Sequence, residues 1–115
     1  MEKTNARIIV LTTVYNCEDW VQKCVKSIKD QTYKNFECYL LDDMSTDSSV
    51  SKAEEVIDGD NRFHVVRNTK KFYQAGNYDQ IIRSDDVRDD DIIVEVDGDD
   101  WLPDNDVFQR VFARS

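Results

Sequence analysis

The stretch that decides the fold is IIVEVDGDDW at residues 92–101, in which a β-branched apolar run leads directly into three aspartates. The run predicts a buried strand from Ile92 to Val96. The carboxylates of Asp97, Asp99 and Asp100 then lie so close in sequence that they repel one another. Either full solvation or a cation among them relieves the repulsion, and hard divalent cations prefer oxygen ligands. Taken alone, the cluster leaves two interpretations open, a solvated acidic turn and a divalent metal site.

The acidity of the chain is concentrated around this stretch. Of the 24 acidic residues, eleven lie between Asp85 and Asp106, where Arg88 is the only cation. This local excess favours a binding site over a general solubility device. The net charge of −9 disfavours nucleic-acid phosphates and anionic membrane surfaces as partners.

Length and composition predict a single globular domain. The 115 residues suffice for one core, and 40% hydrophobic with 34% charged residues is ordinary for a soluble protein. No apolar run approaches the length of a membrane span, and the N-terminus lacks a basic-then-apolar leader pattern. Cys17, Cys24 and Cys38 lack the spacing of zinc ligands and predict reduced thiols in a cytoplasmic protein.

Four short apolar runs, rich in β-branched and aromatic residues, alternate with amphipathic helical patterns. Such alternation predicts an α/β fold, with a mainly parallel sheet of about four strands in a Rossmann-like three-layer α/β/α arrangement. The predicted strands are Arg7–Leu11, Phe36–Leu41, Phe63–Val66 and Ile92–Val96. The predicted helices cover Val21 to about Asp30, about Ser48 to Ile57, Gln74 to Arg83 with Ala75, Tyr78, Ile81 and Ile82 facing inward, and a last segment opened by Leu102.

Polar and aromatic residues follow three of the predicted strands. In parallel sheets, ligands bind outside the carboxyl ends of the strands. The sequence therefore predicts that these residues, although far apart along the chain, converge on one rim of the sheet, which favours a site over a solvated turn. They are Thr13, Tyr15 and Asn16 after the first strand, Asp42 and Asp43 after the second, and Asp97, Asp99 and Asp100 after the fourth.

Six short motifs follow one another from about Arg7 to Asp104. They are Val14–Asn16 with Glu18–Trp20, Ser27-Ile28, Gln31–Tyr33, Asn35–Glu37, Asp42-Asp43-x-Ser45-x-Asp47 and Asp97–Asp100. Each motif alone is weak, but all six in this order and spacing are specific. Together they resemble the family 2 glycosyltransferases, whose catalytic domains have the GT-A fold.

The resemblance implies a nucleotide-diphosphate sugar donor, usually a uridine diphosphate (UDP) sugar, and a divalent metal, Mn²⁺ or Mg²⁺. It implies that the segment after the first strand lies along the nucleoside, that Asp43 hydrogen-bonds the uracil, and that the Asp-x-Asp motif meets the ribose and holds the metal on the diphosphate. The donor-binding residues implied in this way are Thr13, Tyr15, Asp43, Asp97 and Asp99, and the implied metal ligands are Asp99 and Asp100.

The residue types suit this chemistry. A carboxylate can accept a hydrogen bond from a uracil ring N–H, and an aromatic ring can stack on a base. A diphosphate is strongly anionic, so an acidic site can hold it only through a cation. A bound divalent metal also stabilises the leaving diphosphate as its charge develops.

Three departures from the family pattern affect the site. Thr13 stands where the family usually has proline, and Glu95 lies in a strand that is normally apolar, where burial would demand a partner. The family often has Gly-x-x-x-Ala-Arg-Asn after the third strand, but residues 71–77 read KFYQAGN. Both the glycine and the arginine are absent, which leaves the usual diphosphate contact unassigned. The candidate substitutes are Arg67, Lys70 and Lys71.

Family catalytic domains continue well past the Asp-x-Asp segment, and their second half carries the acceptor site and the acidic general base of the inverting enzymes. The resemblance therefore implies that residues 1–115 form one nucleotide-sugar-binding domain, truncated before the acceptor-binding half. No catalytic base is assigned, and the acceptor, a saccharide or a lipid-linked group, stays open. Surface left uncovered by the missing half predicts self-association into a homo-oligomer. Family members often work at the cytoplasmic membrane face.

Other classes of protein fit the pattern less well. An Asp-x-Asp phosphatase motif normally opens its domain, and an EF-hand would place Ile93 at the first ligand position. A phosphoacceptor domain would carry its acidic pair after the first strand. The strongest rival is a degenerate nucleotide-sugar-binding or interaction module. Three further features have structural rather than functional interpretations. They are His64 as a structural residue, Asp85–Asp91 as a solvated loop, and Trp101 as an anchor for the loop after the fourth strand.

Overall fold

Four strands alternate with four helices in the computed structural model, which describes residues 6–84 and 86–114. The alternating order confirms the sequence prediction. The elements are β1 (Ile8–Val14), α1 (Val21–Lys29), β2 (Phe36–Asp42), α2 (Ser49–Ile57), β3 (Phe63–Arg67), α3 (Tyr73–Ile82), β4 (Ile92–Glu95) and α4 (Val107–Arg114).

The four strands form one parallel sheet in the order β3-β2-β1-β4. The chain builds outward from β1 through β2 to β3 and then crosses back to add β4 on the other side of β1. The gap between the carboxyl ends of β1 and β4 is therefore the point where the direction of winding reverses, and crevices for ligands form at such points.

The sheet is covered on both faces, which gives the predicted three layers. On one face, apolar residues of α1, α2 and α4 pack against alternate positions of the strands, including Ile8, Val10 and Val14 of β1. On the other face, α3 packs against the intervening positions, including Ile9 and Leu11. Because both sets of positions on β1 are buried, the strand is apolar throughout its first half rather than alternating.

Strand β1 is longer than the sequence predicted. We expected it to end at Leu11, but it continues to Val14, and Thr13 and Val14 pair with Leu41 and Asp42 of β2. The interpretation of Thr12 as the start of a loop was wrong, because β-branched residues suit a strand even when they carry a hydroxyl. The extension places Thr13 inside the sheet at its carboxyl edge.

Helix α3 faces the sheet through a narrower stripe than predicted. Tyr78 and Ile81 are buried as expected, but Ala75 is exposed and Ile82 is 47% exposed. The inward stripe includes Asn77 instead, which is fully buried. The prediction counted every apolar residue as inward, whereas α3 covers mainly β1 and β2 and leaves its outer edge in solvent.

The start of β4 is held by a partly buried ion pair that the sequence did not indicate. The Arg7 guanidinium donates to both oxygens of Asp91, with Nε–Oδ1 at 3.1 Å and Nη2–Oδ2 at 2.7 Å. The Asp91 side chain is only 2% exposed, so the prediction of a fully solvated Asp85–Asp91 loop was wrong at its last residue. Asp85 itself lies outside the described residues. Glu95 is exposed at the edge of the sheet, so the question of a buried partner does not arise.

Within residues 6–84 and 86–114, no helix combines the length and the apolar character needed to cross a membrane.

Candidate functional site

A cleft of about 240 Å³ opens where β1 and β4 end. The cleft lies at the reversal point of the sheet, where the topology favours a ligand site. Residues that follow β1 form one wall, and the acidic loop that follows β4 forms the other. The lining residues are Thr13, Tyr15, Cys17, Asp97, Gly98 and Asp99.

Gly98 brings the acidic loop into contact with β1. Its N–H donates to the Thr13 carbonyl at 3.0 Å, which continues the β1–β4 hydrogen bonding beyond the strand. A Cβ at this position would lie 2.8 Å from Cys17 Sγ and 3.0 Å from the Thr13 carbonyl oxygen. Only glycine therefore fits without displacing the loop, and its place between two aspartates fixes where their carboxylates project.

Cys17 lines the cleft and was missed by sequence reasoning, which found only that the cysteines lack the spacing of zinc ligands. Its side chain is nearly buried, and burial raises the pKa of the thiol, so Cys17 is a neutral thiol at physiological pH. Its backbone N–H donates to Ser49 Oγ at 2.8 Å. Cys17 therefore forms part of the floor of the cleft rather than a reactive group.

The three aspartates of the acidic loop are exposed. Asp97 accepts a long hydrogen bond of 3.4 Å from the Tyr78 hydroxyl, and Asp100 accepts the N–H of Trp101 at 2.8 Å. Among the described residues, no three His, Cys, Asp or Glu side chains converge as a complete metal cage. Mg²⁺ and similar ions commonly take one or two carboxylates and complete their shell with substrate phosphates and water. Asp99 and Asp100 fit that kind of donor set.

Asp43 is buried beside the start of α3. Its Oδ1 accepts hydrogen bonds from the Phe72 N–H at 2.7 Å and the Asn68 amide at 3.1 Å. Its Oδ2 accepts the Tyr73 N–H at 2.9 Å and lies 3.4 Å from Lys71 Nζ. Burial acts to raise the pKa of the Asp43 carboxyl, but these hydrogen bonds and the nearby ammonium outweigh it, so the pKa lies below its usual range. Asp43 is thus an ionised group at a helix N-terminus.

Tyr15 stands at the mouth of the cleft with its side chain 48% exposed. The ammonium of Lys71 lies 3.0 Å from the centre of the Tyr15 ring and 5.4 Å from that of Tyr73. A cation over an aromatic face is held by the electron density of the ring. The exposed aromatic ring predicted for the site is therefore present, with one face already in contact with a cation.

The loops after β1 and β2 are tied together by the other residues of the Asp42–Asp47 motif. Ser45 Oγ accepts the Asn16 N–H at 3.0 Å, and Asn16 Oδ1 accepts the Thr46 N–H at 2.8 Å. Asp47 accepts the N–H groups of Ser49 at 3.0 Å and of Glu18 at 3.2 Å. These bonds satisfy donors at the starts of α1 and α2, so Ser45 and Asp47 position the loops rather than face the cleft.

Trp101 anchors the acidic loop, as the sequence predicted. Its ring stacks on Trp20 near the start of α1, with centroids 6.2 Å apart and planes 24° apart. Lys23 Nζ lies 3.8 Å from the centre of the Trp101 ring on top of this stack. The loop is therefore held against β1 by Gly98 and against α1 by Trp101.

The structure brings together most, but not all, of the residues that the sequence singled out. Thr13, Tyr15, Asp97 and Asp99 line one cleft. Asp43 and Asp100 do not line it, although the Asp43 N–H donates to the Val14 carbonyl at 2.9 Å and so lies beside its rim. Gly98 and Cys17 were not predicted. The signal for Gly98 was available, because a glycine inside a polar loop often marks a close backbone approach.

Comparison with protein families supplies a match over almost the whole chain. The model of the family described as glycosyl transferase family 2 matches residues 9–114. The glycosyltransferase GlyA of Streptococcus pneumoniae is 35% identical over 97 residues, covering 76% of this chain and 14% of that protein. The putative glycosyltransferase EpsH of Bacillus subtilis is 33% identical over 95 residues, covering 83% of this chain and 26% of the relative.

Solved structures give the same result for the fold. TarS of S. aureus (residues 1–349), in complex with UDP, superposes with a TM-score of 0.75 at 18% identity, covering 93% of this chain and 31% of that one. The mannosyltransferase PcManGT of Pyrobaculum calidifontis, in complex with GDP-Man and Mn²⁺, gives 0.74 at 20% identity, covering 91% and 31%. The chain thus has the GT-A type of α/β fold. It spans less than a third of each of these four proteins.

Proposed function

Because the chain belongs to the family 2 glycosyltransferases, we propose that its cleft binds a nucleotide-diphosphate sugar, with a UDP-sugar as the donor in a sugar-transfer reaction. The observation that carries the proposal is the convergence of Thr13 and Tyr15 with Asp97 and Asp99 on one cleft at the reversal point of the sheet. Two segments separated by about eighty residues meet there, and an exposed ring and exposed carboxylates face the same space.

In this proposal the nucleoside lies along the end of β1. Tyr15 offers an exposed ring for stacking, and Thr13 forms part of the wall of the cleft. Asp43, beside the rim, accepts a base N–H, and Asp97 accepts a ribose hydroxyl.

The diphosphate lies at the acidic loop, where Asp99 and Asp100 hold a divalent ion, Mn²⁺ or Mg²⁺. In a chain with a net charge of −9, an anionic ligand is held at a carboxylate pair only if a cation lies between them. When bound, the ion supplies charge stabilisation to the leaving diphosphate. PcManGT in complex with GDP-Man and Mn²⁺ supports this combination for the fold.

The reaction is proposed to be an inverting displacement at the anomeric carbon of the sugar. A bond forms from an acceptor hydroxyl oxygen to that carbon while the bond from the carbon to the diphosphate oxygen breaks. The residues of this chain orient the donor: the Gly98 contact with β1 and the Trp101 stack on Trp20 hold the acidic loop in place. We assign no residue of this chain to the proton of the acceptor, which is a saccharide or a lipid-linked group.

Isothermal titration with UDP tests the donor site. The unchanged chain should bind UDP in the presence of Mn²⁺ and bind it much more weakly after the metal is chelated. Asp99→Ala and Asp100→Ala should each weaken Mn²⁺-dependent binding by about tenfold or more, since each removes a charged ligand.

The matched control is Asp89→Ala, which removes an exposed carboxylate from the same acidic region but away from the cleft. It should bind UDP like the unchanged chain. Failure to bind UDP with Mn²⁺ present, or equal weakening by all three substitutions, would contradict the proposed site.

A further inference from the structure

We propose that Trp20 and Trp101 form an aromatic surface that binds a neutral saccharide, the acceptor of the reaction, beside the metal end of the donor site. The inference rests on the proposed function and names a contact surface and a chemical class for the acceptor. The C–H bonds of a pyranose ring carry partial positive charge and are attracted to the electron-rich face of an indole. Sugars of the gluco configuration, whose hydroxyls are equatorial, present such C–H faces most fully.

The two rings are open to solvent although they lie in contact with each other. Trp20 is 50% exposed and Trp101 is 37% exposed, and their ring centroids are 6.2 Å apart. They are the only two tryptophans of the chain. Neighbouring large rings that both stay exposed form an apolar patch of the kind that ligands and partners cover. The pair therefore offers a binding surface in addition to holding the acidic loop.

Local contacts hold both rings in position before any ligand arrives. The Trp20 N–H donates to the Cys17 carbonyl at 2.9 Å, which fixes the turn that opens α1. The Trp101 N–H donates to Asp100 Oδ1 at 2.8 Å, and Lys23 Nζ lies 3.8 Å from the centre of the Trp101 ring. A ligand that covers rings already in place loses less free energy to ordering than one that has to immobilise them.

The aromatic surface lies beside the place where the proposed reaction occurs. Asp99 lines the cleft and Trp101 follows it by two residues, so their Cα atoms are at most about 7 Å apart. Neither Trp20 nor Trp101 lines the cleft itself, so a donor in the cleft leaves the surface free. An acceptor hydroxyl has to reach the anomeric carbon, which is bonded to the diphosphate at the acidic loop. A saccharide on the two rings presents its hydroxyls at that loop.

The charges around the rings favour a neutral saccharide over an anionic lipid surface. Exposed carboxylates adjoin both rings in the chain, since Asp19 precedes Trp20 and Asp100 precedes Trp101. In a chain with a net charge of −9, such a surface repels anionic headgroups. Sugar hydroxyls both donate and accept hydrogen bonds, so they can use these carboxylates as acceptors and the Lys23 ammonium as a donor. The combination of rings and charged groups thus matches the chemistry of a sugar.

A ¹H–¹⁵N correlation spectrum of the unchanged chain tests the surface directly, because its only two indole N–H groups belong to Trp20 and Trp101. The probes are chitotetraose, a neutral β-linked saccharide of the gluco configuration, and vesicles of phosphatidylglycerol and phosphatidylcholine. Chitotetraose at millimolar concentration should shift both indole signals, and the vesicles should leave them unchanged. No shift with chitotetraose, shifts with vesicles instead, or shifts with protein concentration alone would each overturn the inference.

Substitutions of Trp20 separate contact with an aromatic face from general apolar contact. Trp20→Phe keeps an aromatic face and should retain most of the chitotetraose affinity, whereas Trp20→Leu should lose about tenfold. The matched control is Ile82→Ala, which removes an apolar side chain of similar exposure, 47%, from α3. It should bind chitotetraose like the unchanged chain. Equal losses in Trp20→Leu and Ile82→Ala, or no loss in Trp20→Leu, would contradict the inference.

The paramagnetism of Mn²⁺ tests whether the bound saccharide lies where an acceptor must. With UDP and Mn²⁺ present, the ion should accelerate the relaxation of the chitotetraose protons, and Asp99→Ala should abolish this effect. Chitotetraose that shifts the indole signals without such relaxation would overturn its role as the acceptor while leaving the donor site intact. If chitotetraose binds but UDP does not bind with Mn²⁺ present, the proposed function fails, and the acceptor role fails with it.

Discussion

Gly98 shows how one residue without a side chain can place the two carboxylates that flank it. Its backbone lies against the end of β1, where a Cβ would come within 3.0 Å of a backbone carbonyl oxygen and even closer to Cys17 Sγ. Asp97 and Asp99 flank this contact and both line the cleft. The close approach of the loop to β1 therefore determines the depth of the cleft as well as the direction of its acidic wall.

Substitution of Gly98 by alanine should displace the acidic loop. The added methyl group overpacks the junction, which typically costs about 1–3 kcal/mol of folding free energy. Because the loop carries Asp99 and Asp100, Mn²⁺-dependent UDP affinity should fall as well. Denaturant unfolding and isothermal titration measure the two effects.

The double variant Cys17→Ala/Gly98→Ala provides the control. It removes the Sγ atom that the new methyl group would meet at 2.8 Å but keeps the Thr13 carbonyl at 3.0 Å, so we expect partial recovery of stability. A Gly98→Ala protein as stable and as tight in UDP binding as the unchanged chain would show that the loop does not depend on this contact.

At the residue scale, sequence reasoning predicted that residues after different strands come together at one rim of the sheet. It grouped Thr13, Tyr15, Asp97 and Asp99, which line one cleft. It could not choose among the cations of the Arg67–Lys71 segment, because a long flexible side chain can reach in several directions from the same backbone. Only the positions of Asp43 and Tyr15 around its ammonium distinguish Lys71.

The Asp43 carboxylate joins the end of β2 to the start of α3, about thirty residues further along the chain. The buried carboxylate accepts hydrogen bonds from the N–H groups of Phe72 and Tyr73. Because these residues lie at the start of a helix, their N–H groups have no acceptor within the helix itself. The positive end of the α3 dipole lies at the same place and favours the negative charge. Asp43 therefore fixes the start of α3 relative to β2.

The stability provided by Asp43 should depend on pH. Its native pKa lies below the ordinary value of 3.8. Its contribution is therefore complete at neutral pH, begins to shrink near the ordinary value, and is lost as the pH falls through the native pKa. Asp43→Asn should reduce the free energy of unfolding by about 1–3 kcal/mol at pH 7, because a buried N–H loses its charged acceptor. The difference from the unchanged chain should narrow in acid, as measured by denaturant unfolding across pH.

Asp89→Asn is the matched control, since it neutralises an exposed carboxylate in the loop before β4. It should leave the unfolding free energy almost unchanged at every pH. If the Asp43→Asn difference were instead constant from neutral to strongly acid pH, the ionised carboxylate would not be the source of the stabilisation.

At the element scale, the order of helices and strands was predictable, but their ends and faces were not. Periodicity located every element that the structure shows, but the prediction that Leu102 opens the last helix was wrong, because α4 begins at Val107. It ended β1 three residues early, because two threonines suit a strand and a loop equally well until the partner strand is known. It also predicted wrongly that Ala75 and Ile82 of α3 face the sheet, because the width of the buried stripe depends on which strands α3 covers.

For the whole molecule, the sheet order β3-β2-β1-β4 determines which loops are neighbours. It places the loop after β1 next to the loop after β4, although about eighty residues separate them in sequence. The alternating pattern and the rule for parallel crossovers were enough to predict this rim. The pattern could not predict that the outer face of β4 stays exposed at Ile93 and Glu95, since the burial of an edge strand depends on what lies beside it.

Paramagnetic broadening by Mn²⁺ in a ¹H–¹⁵N correlation spectrum tests most directly whether the acidic loop is a metal-dependent donor site. With UDP present, broadening should centre on the amides of residues 97–101 and extend to Tyr15, and it should be lost in Asp99→Ala. The loop at residues 86–91 is an internal control, because it is comparably acidic and lies at the opposite end of β4. Broadening centred on that loop, or equal broadening of both loops with and without UDP, would contradict the proposed site.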